Sequence, residues 1–237
     1  MDYENVLVTG ASRGLGAAIA RELASSGRRV LLAASSGEQL RARAREIEAM
    51  TGRAPGWHAV DLRQPQGGRE LVAAAKAELG GIDALINNAG IGWFKPFVEH
   101  DEDELADVVA LNLLAPMRLA HALLPEWIER GAGYLINIAS DLSRRPLANM
   151  APYVATKFGL LGWAASLHRE IRGRGIKVTT VMPGIIDSSF NNGIEGTRDP
   201  RGALRTAELA RQVVGLLDTP PHLVVDELTV HPVDGDY

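Results

Sequence analysis

The feature that most limits how this chain can fold is an alternation of short apolar, β-favouring runs with longer stretches of helical spacing. The runs fall at 6–9, 29–34, 57–60, 84–87, 134–139, 177–182 and 223–230. Helices are expected at 15–26, 38–50, 70–79, 102–129, 153–172 and 206–217. In the first of these, Leu15, Ile19 and Leu23 recur every four residues and so share one face. The strands lack strict polar alternation, which implies that both of their faces are buried. That is the property of a parallel sheet covered by helices on both sides.

Right-handed crossovers turn such a pattern into an α/β, doubly wound parallel sheet of about seven strands, the Rossmann architecture. With 237 residues and no repeat, low-complexity tract or linker, a single domain over 1–237 is expected. Hydrophobic residues at 46% and charged residues at 23% describe a folded chain rather than a disordered one. A net charge of −4 carries no basic excess, so no nucleic-acid partner is expected. The absence of cysteine excludes disulfides, zinc-thiolate sites and cysteine nucleophiles, and no metal site is expected. Asp2, Tyr3 and Glu4 lead directly into the first strand without a basic start or an apolar leader. No run approaches the length of a bilayer span, so the expectation is a cytoplasmic protein with no membrane partner.

After the first strand the chain reads Thr9-Gly10-Ala11-Ser12-Arg13-Gly14-Leu15-Gly16 and then becomes helical. Glycine allows a tight turn and close backbone approach to a pyrophosphate, whose charge is favoured by a helix N-terminus. A first strand-to-helix junction is where this fold binds dinucleotides.

Tyr153 and Lys157 stand four apart at the start of a helix, which puts both on one face. A free tyrosine, with a pKa of about 10, is a poor acid/base near neutrality, and a nearby ammonium lowers that value. The same spacing also occurs on ordinary helix faces. Ser140 ends a strand thirteen residues before Tyr153, where its hydroxyl could hold a substrate oxygen while the tyrosine exchanges a proton. Further short patterns follow the other strands: Asp61-Leu62, Asn87-Asn88-Ala89-Gly90, and Pro183-Gly184 leading to Ile186 and Ser188. Asn112 lies within the long helix after the fourth strand.

Together with the leading Thr9 and the three-residue gap between Gly10 and Gly14, this set resembles the short-chain dehydrogenase/reductase family over residues 5 to about 190. The resemblance implies a carbonyl/alcohol oxidoreductase in which Tyr153 is the acid/base and Ser140 holds the substrate oxygen. Lys157 would lower the tyrosine pKa and bond the nicotinamide ribose. Asn112 would hold a water of the proton relay, or simply bond a neighbouring carbonyl. The cofactor would lie along Gly10, Ser12, Arg13, Gly14, Leu15 and Gly16, with Asp61 and Leu62 at the adenine, although Asp61 also reads as a plain turn residue. Asn87 would steady the sheet and line the adenine pocket beside Ala89 and Gly90. Pro183, Gly184, Ile186 and Ser188 would lie along the nicotinamide, Ser188 standing where the family commonly has threonine.

No carboxylate closes the second strand at Ala34, and Ser35 and Ser36 follow it. Arg13 resembles the basic residue that NADP-preferring members set beside the 2′-phosphate, or else is a solvated loop charge. NADP(H) is therefore the expected cofactor, with NAD(H) the alternative. The stretch 187–205 reads as a substrate loop. Arg144 and Arg145 suit either an acidic substrate or solvent, and Trp93 and Phe94 either a pocket wall or sheet packing. Arg130 and Arg174 lie roughly where 3-oxoacyl reductases meet their acidic carrier. The apolar excess on the two long helices implies a homodimer or homotetramer. A catalytically idle nucleotide sensor is the rival reading, and it would be expected to lose Ser140, Tyr153 or Lys157. A sugar-nucleotide epimerase is a second rival, but would run longer with a different glycine spacing.

Overall fold

The computed structural model describes residues 3–234; Asp2 and the extreme ends of the expected 1–237 domain lie outside them. β1 (Asn5–Thr9), α1 (Gly14–Ser25), β2 (Arg29–Ala34), α2 (Gly37–Thr51), β3 (Gly56–Ala59), α3 (Gly67–Leu79) and β4 (Ala84–Asn87) alternate in chain order. Next, α4 (Glu102–Val109), a π-helical turn (Ala110–Leu114) and α5 (Ala115–Arg130) run on as one helix. β5 (Gly133–Ile138), α6 (Ala151–Ile171) and β6 (Ile176–Pro183) follow. Beyond them come β7 (Ile186–Asp187), β8 (Leu204–Arg205), α7 (Thr206–Gly215) and β9 (Glu227–Val230).

Seven strands form one parallel sheet in the order β3-β2-β1-β4-β5-β6-β9. β1 illustrates the two-sided burial expected of such a sheet. Val6 and Val8 pack on one face with Ile19, Leu23, Leu40 and Val213, from α1, α2 and α7. Leu7 packs on the other with Leu71, Leu119, Leu123 and Trp127, from α3 and α5. Each fully buried aliphatic chain of this kind stabilises by roughly 1.5–3 kcal/mol.

Three expectations need correction. The seventh strand is four residues long, Glu227–Val230, and not 223–230. The approach to it is irregular, and the Val225 carbonyl bonds the Thr179 hydroxyl. The stretch 187–205 is less loose than its composition suggests, because β7 and β8 pair in parallel across its ends. Finally, Glu102–Arg130 is long and apolar enough to cross a bilayer by length and composition. In the fold, Leu119, Leu123 and Trp127 of this helix are fully buried against the sheet.

Candidate active site

The chain moves outward from β1 to β3 and then returns to β4 on the opposite side, so β1 and β4 flank the point where strand order reverses. Crevices beyond the carboxyl ends of strands at such a point are where this fold binds ligands. A cleft of about 900 Å³ opens there, running from Ser35 and Asp61 past the glycine turn to Tyr153, Leu147 and Met150.

Gly10 and Gly14 hold the turn with φ of +64° and +54°, the left-handed region that disfavours side chains. A Cβ on Gly16 would collide with the Gly10 carbonyl and the Asn88 amide, so Gly16 lies behind the turn while Gly10, Ser12, Arg13, Gly14 and Leu15 line the cleft. The turn is tied down by a residue that sequence reasoning passed over. Asn88 Nδ2 donates to the Thr9 and Gly10 carbonyls at 3.0 and 3.3 Å. The backbone N–H groups of Asn88 and Ala89 in turn donate to Thr9 Oγ1 at 3.0 and 3.1 Å. Asn87, expected to line the pocket, does not. It is buried in the sheet and donates to Asn137 Oδ1 at 2.9 Å. Alternation along a strand explains the correction: adjacent residues point to opposite faces.

At the adenine end, Asp61 and Leu62 line the cleft as expected. The Asp61 carboxylate is held by Arg63 through its side chain and backbone N–H, which keeps it below the usual carboxylate range. Arg63 also lines the cleft and pairs with Asp107 at 2.5 Å, a contact across 44 residues with no local signal. Arg13 is exposed at the N-cap position of α1, and no hydrogen bond or ion pair engages its side chain among the described residues. The first turn of α1 has no acidic residue to compete with a bound anion. Ser35 lines the cleft beside Ala34, while the Ser36 hydroxyl caps α2 by accepting from Gln39 N at 3.3 Å.

Ser140, Tyr153 and Lys157 converge in the centre of the cleft, all of them buried. Tyr153 lies in the first turn of α6, started by Pro152 where a missing N–H costs nothing, and Lys157 follows one turn later. Burial pushes the Tyr153 phenol up to about 12, while a hydrogen bond with Ser140 pulls the other way and the Asp141 charge adds to the rise. Burial also pulls Lys157 down to about 8. In the free protein burial is thus the largest influence on Tyr153 and holds it above the ordinary tyrosine value. Lys157 Nζ donates to the Ile138 carbonyl at 3.0 Å. Asn112 sits beneath the cleft in the π-helical turn, bonded to both backbone groups of Ile91 at 2.8–2.9 Å and to Thr156 Oγ1 at 3.2 Å.

Ala89, Gly90, Pro183, Gly184, Ile186 and Ser188 all line the cleft. Of the aromatic pair considered as a wall, Phe94 lines it and Trp93 does not. Phe94 meets Tyr153 edge-on at 5.7 Å, and Phe190 of the 187–205 stretch approaches both rings at 5.9–6.3 Å. Arg145 faces the cleft and donates to Asp141 Oδ2 at 2.7 Å, whereas Arg144 pairs with Glu227. Arg130 is turned inward, donating to the Ile82 and Ala132 carbonyls at 2.7 Å, and Arg174 is exposed.

Over residues 4–199 the chain matches the family described as short chain dehydrogenase. The ketoacyl reductase HetN of a Nostoc species is 37% identical over 186 residues, which span 78% of this chain and 64% of that protein. The 3-oxoacyl-(acyl-carrier-protein) reductase FabG of Vibrio cholerae is 34% identical, over 90% of this chain and 84% of that protein. An alcohol dehydrogenase from the archaeon Thermococcus sibiricus, solved with 5-hydroxy-NADP, superposes with a TM-score of 0.91 at 30% identity, covering 98% of this chain and 97% of that one. A metagenomic short-chain oxidoreductase solved with NADP does so at 0.84 and 36%, covering 97% of each chain. With that pattern running through most of its length and centred on this cleft, the chain belongs to the short chain dehydrogenase family.

Proposed function

We propose that this protein is an NADP(H)-dependent oxidoreductase acting on a carbonyl/alcohol pair, with Tyr153 as its general acid/base. The observation that carries the reading is the convergence of Ser140, Tyr153 and Lys157 in the cleft that the glycine turn opens. The residues fit the cofactor: side chains are excluded at Gly10 and Gly16, the Arg13 side chain has no partner among the described residues, and no acid stands at Ala34 to repel a 2′-phosphate. Structural neighbours solved with 5-hydroxy-NADP and NADP support the choice.

Gly10, Ser12, Arg13, Gly14 and Leu15 would hold the phosphates, with Ser35, Asp61 and Leu62 toward the adenosine and Ala89, Gly90, Pro183, Gly184, Ile186 and Ser188 toward the nicotinamide. When bound, the nicotinamide supplies or accepts the hydride. Ser140 and Tyr153 grip the substrate oxygen, and the phenol gives up or takes back its proton. Lys157, charged below about pH 8, steadies the phenolate as it develops. Asn112 fixes the Ile91 backbone under the site.

Aldehydes, ketones and 3-oxoacyl thioesters are the substrates to try with NADPH and NADH. The thioesters enter because relatives are named ketoacyl reductases, although Arg130 is committed to its own loop. No carbonyl-dependent oxidation of either cofactor would refute the reading. The proposal extends to a single catalytic unit with 187–205 as its substrate loop, working in the cytoplasm as a homodimer or homotetramer.

A further inference from the structure

One carboxylate stands beside the catalytic residues. Asp141 follows Ser140 at the head of a short 3₁₀ turn (Asp141–Ser143) and lines the cleft with its side chain only 11% exposed. Ser140 Oγ donates to Asp141 Oδ1 at 3.1 Å, and Arg145 Nη2 donates to Oδ2 at 2.7 Å. His231 Nε2 stands 3.8 Å from the same Oδ2.

An ionised carboxylate accepts about four hydrogen bonds, so these contacts leave acceptor capacity in a confined site. The nearby walls, Phe94, Leu147, Met150 and Phe190, offer no donors from their side chains. A charged acceptor in such surroundings gains strongly from a ligand that brings a donor. Arg145 meanwhile already has a counter-charge, so an anionic group placed here would meet Asp141 before it met an unneutralised guanidinium.

Position sets which donor is within reach. On the oxidoreductase reading, Ser140 turns its single hydroxyl proton from Asp141 to the substrate oxygen, which leaves Asp141 Oδ1 beside that oxygen as an open acceptor. The geometry points to Asp141 as a specificity-determining residue that accepts a hydrogen bond from a hydroxyl or ammonium group on the carbon next to the reacting carbon. The preferred substrates are then vicinal diols and 1,2-amino alcohols, with α-hydroxy and α-amino carbonyls in the reverse direction. Plain alkyl ketones and α-keto acids are disfavoured, the first for want of a donor and the second by charge repulsion.

The inference rests on the proposed reaction, and one experiment separates the two. NADPH oxidation is measured with 2-hydroxyacetophenone, propiophenone and benzoylformate, which share one aryl group, for wild type, Asp141→Asn and Asp141→Ala. The wild type should favour 2-hydroxyacetophenone over propiophenone in kcat/KM, and Asp141→Ala should reduce that ratio about tenfold or more. Asp141→Asn, which keeps an acceptor oxygen but loses the charge, should fall between, and benzoylformate should gain in both variants. Comparing one ratio across variants cancels the ketones' intrinsic reactivities and any loss of folded enzyme. Equal ratios in all three proteins overturn the role of Asp141, as does turnover of other carbonyls with none of 2-hydroxyacetophenone. A wild type that oxidises NADPH with no carbonyl overturns the oxidoreductase reading, and the inference falls with it.

Discussion

Lys157 Nζ donates to the main-chain carbonyl of Ile138 at 3.0 Å while standing 5.5 Å from the centre of the Tyr153 ring. The end of β5 thus aims the lysine, and the tyrosine receives its charge from a short distance. Burial lowers Lys157 to about 8, so its charge is present below that pH and is lost above it. For carbonyl reduction the phenol must be protonated and the lysine charged. Reductive kcat/KM for NADPH should therefore hold level below about pH 7 and fall about tenfold per unit beyond pH 8. Lys157→Arg, slower but always charged, should lose that alkaline limb. A wild-type profile flat to pH 10 contradicts the assignment.

Tyr153→Phe removes one hydroxyl from a ring held by Phe94 and Phe190. The packing survives, so NADPH affinity by fluorescence titration should be nearly unchanged. Turnover should fall about 100- to 10,000-fold, the usual contribution of a general acid/base. Near-normal kcat would remove Tyr153 from the mechanism.

Gly16→Ala tests the cradle. Its Cβ would meet the Gly10 carbonyl and the Asn88 amide, both fixed by hydrogen bonds. Such overpacking costs about 1–3 kcal/mol. The variant should melt several degrees lower and lose NADPH binding. Gly215→Ala, at the open end of α7, has nothing within 4 Å of its Cβ and should be neutral or stabilising by up to about 1 kcal/mol. Equal behaviour of the two in thermal melts would refute the steric argument.

The parts legible in sequence are those whose signal is local. Gly10 and Gly14 declare themselves because few other residues accept their φ, and Tyr153 and Lys157 because a helix converts a four-residue gap into one face. What stayed hidden depends on residues far apart in the chain. The pairing of Arg63 with Asp107, the grip of Asn88 on the glycine turn and the placing of Asn112 by a π-helical turn have no periodicity to announce them. The tyrosine pKa belongs with them. A neighbouring ammonium can be read from spacing, but the burial that raises the phenol arises only once the cleft closes around it.

Val109, Leu114 and Phe158 are 37–42% exposed on the long helix and on α6, which meet where Gly159 faces Leu113. Three large apolar chains around one such contact suggest a covering partner. Light scattering at micromolar concentration should give a dimer or tetramer, and Phe158→Glu should shift it toward monomer. A strictly monomeric wild type would contradict the homo-oligomer.

Cofactor choice should rest on Arg13 and on the missing acid at Ala34. Arg13 is exposed at the head of α1 with no partner for its side chain among the described residues, and Ala34 and Ser35 line the same end of the cleft. A guanidinium can hold a 2′-phosphate with charge-assisted, paired hydrogen bonds. Such bonds contribute about 1.5–3 kcal/mol, or roughly 10- to 150-fold in affinity. Arg13→Ala should weaken NADPH by that factor and leave NADH almost untouched, because NADH has no phosphate there to lose. Ala34→Asp should act in the same direction by a different route, repelling the phosphate while offering the NADH ribose an acceptor. Screening separates the two cofactors further, since added salt should erode the NADPH advantage of the wild type more than that of Arg13→Ala. The measurement is a pair of Kd titrations for each protein at low and moderate salt. If the wild type binds NADH as tightly as NADPH, neither residue selects the cofactor, and the NADP(H) assignment fails with them.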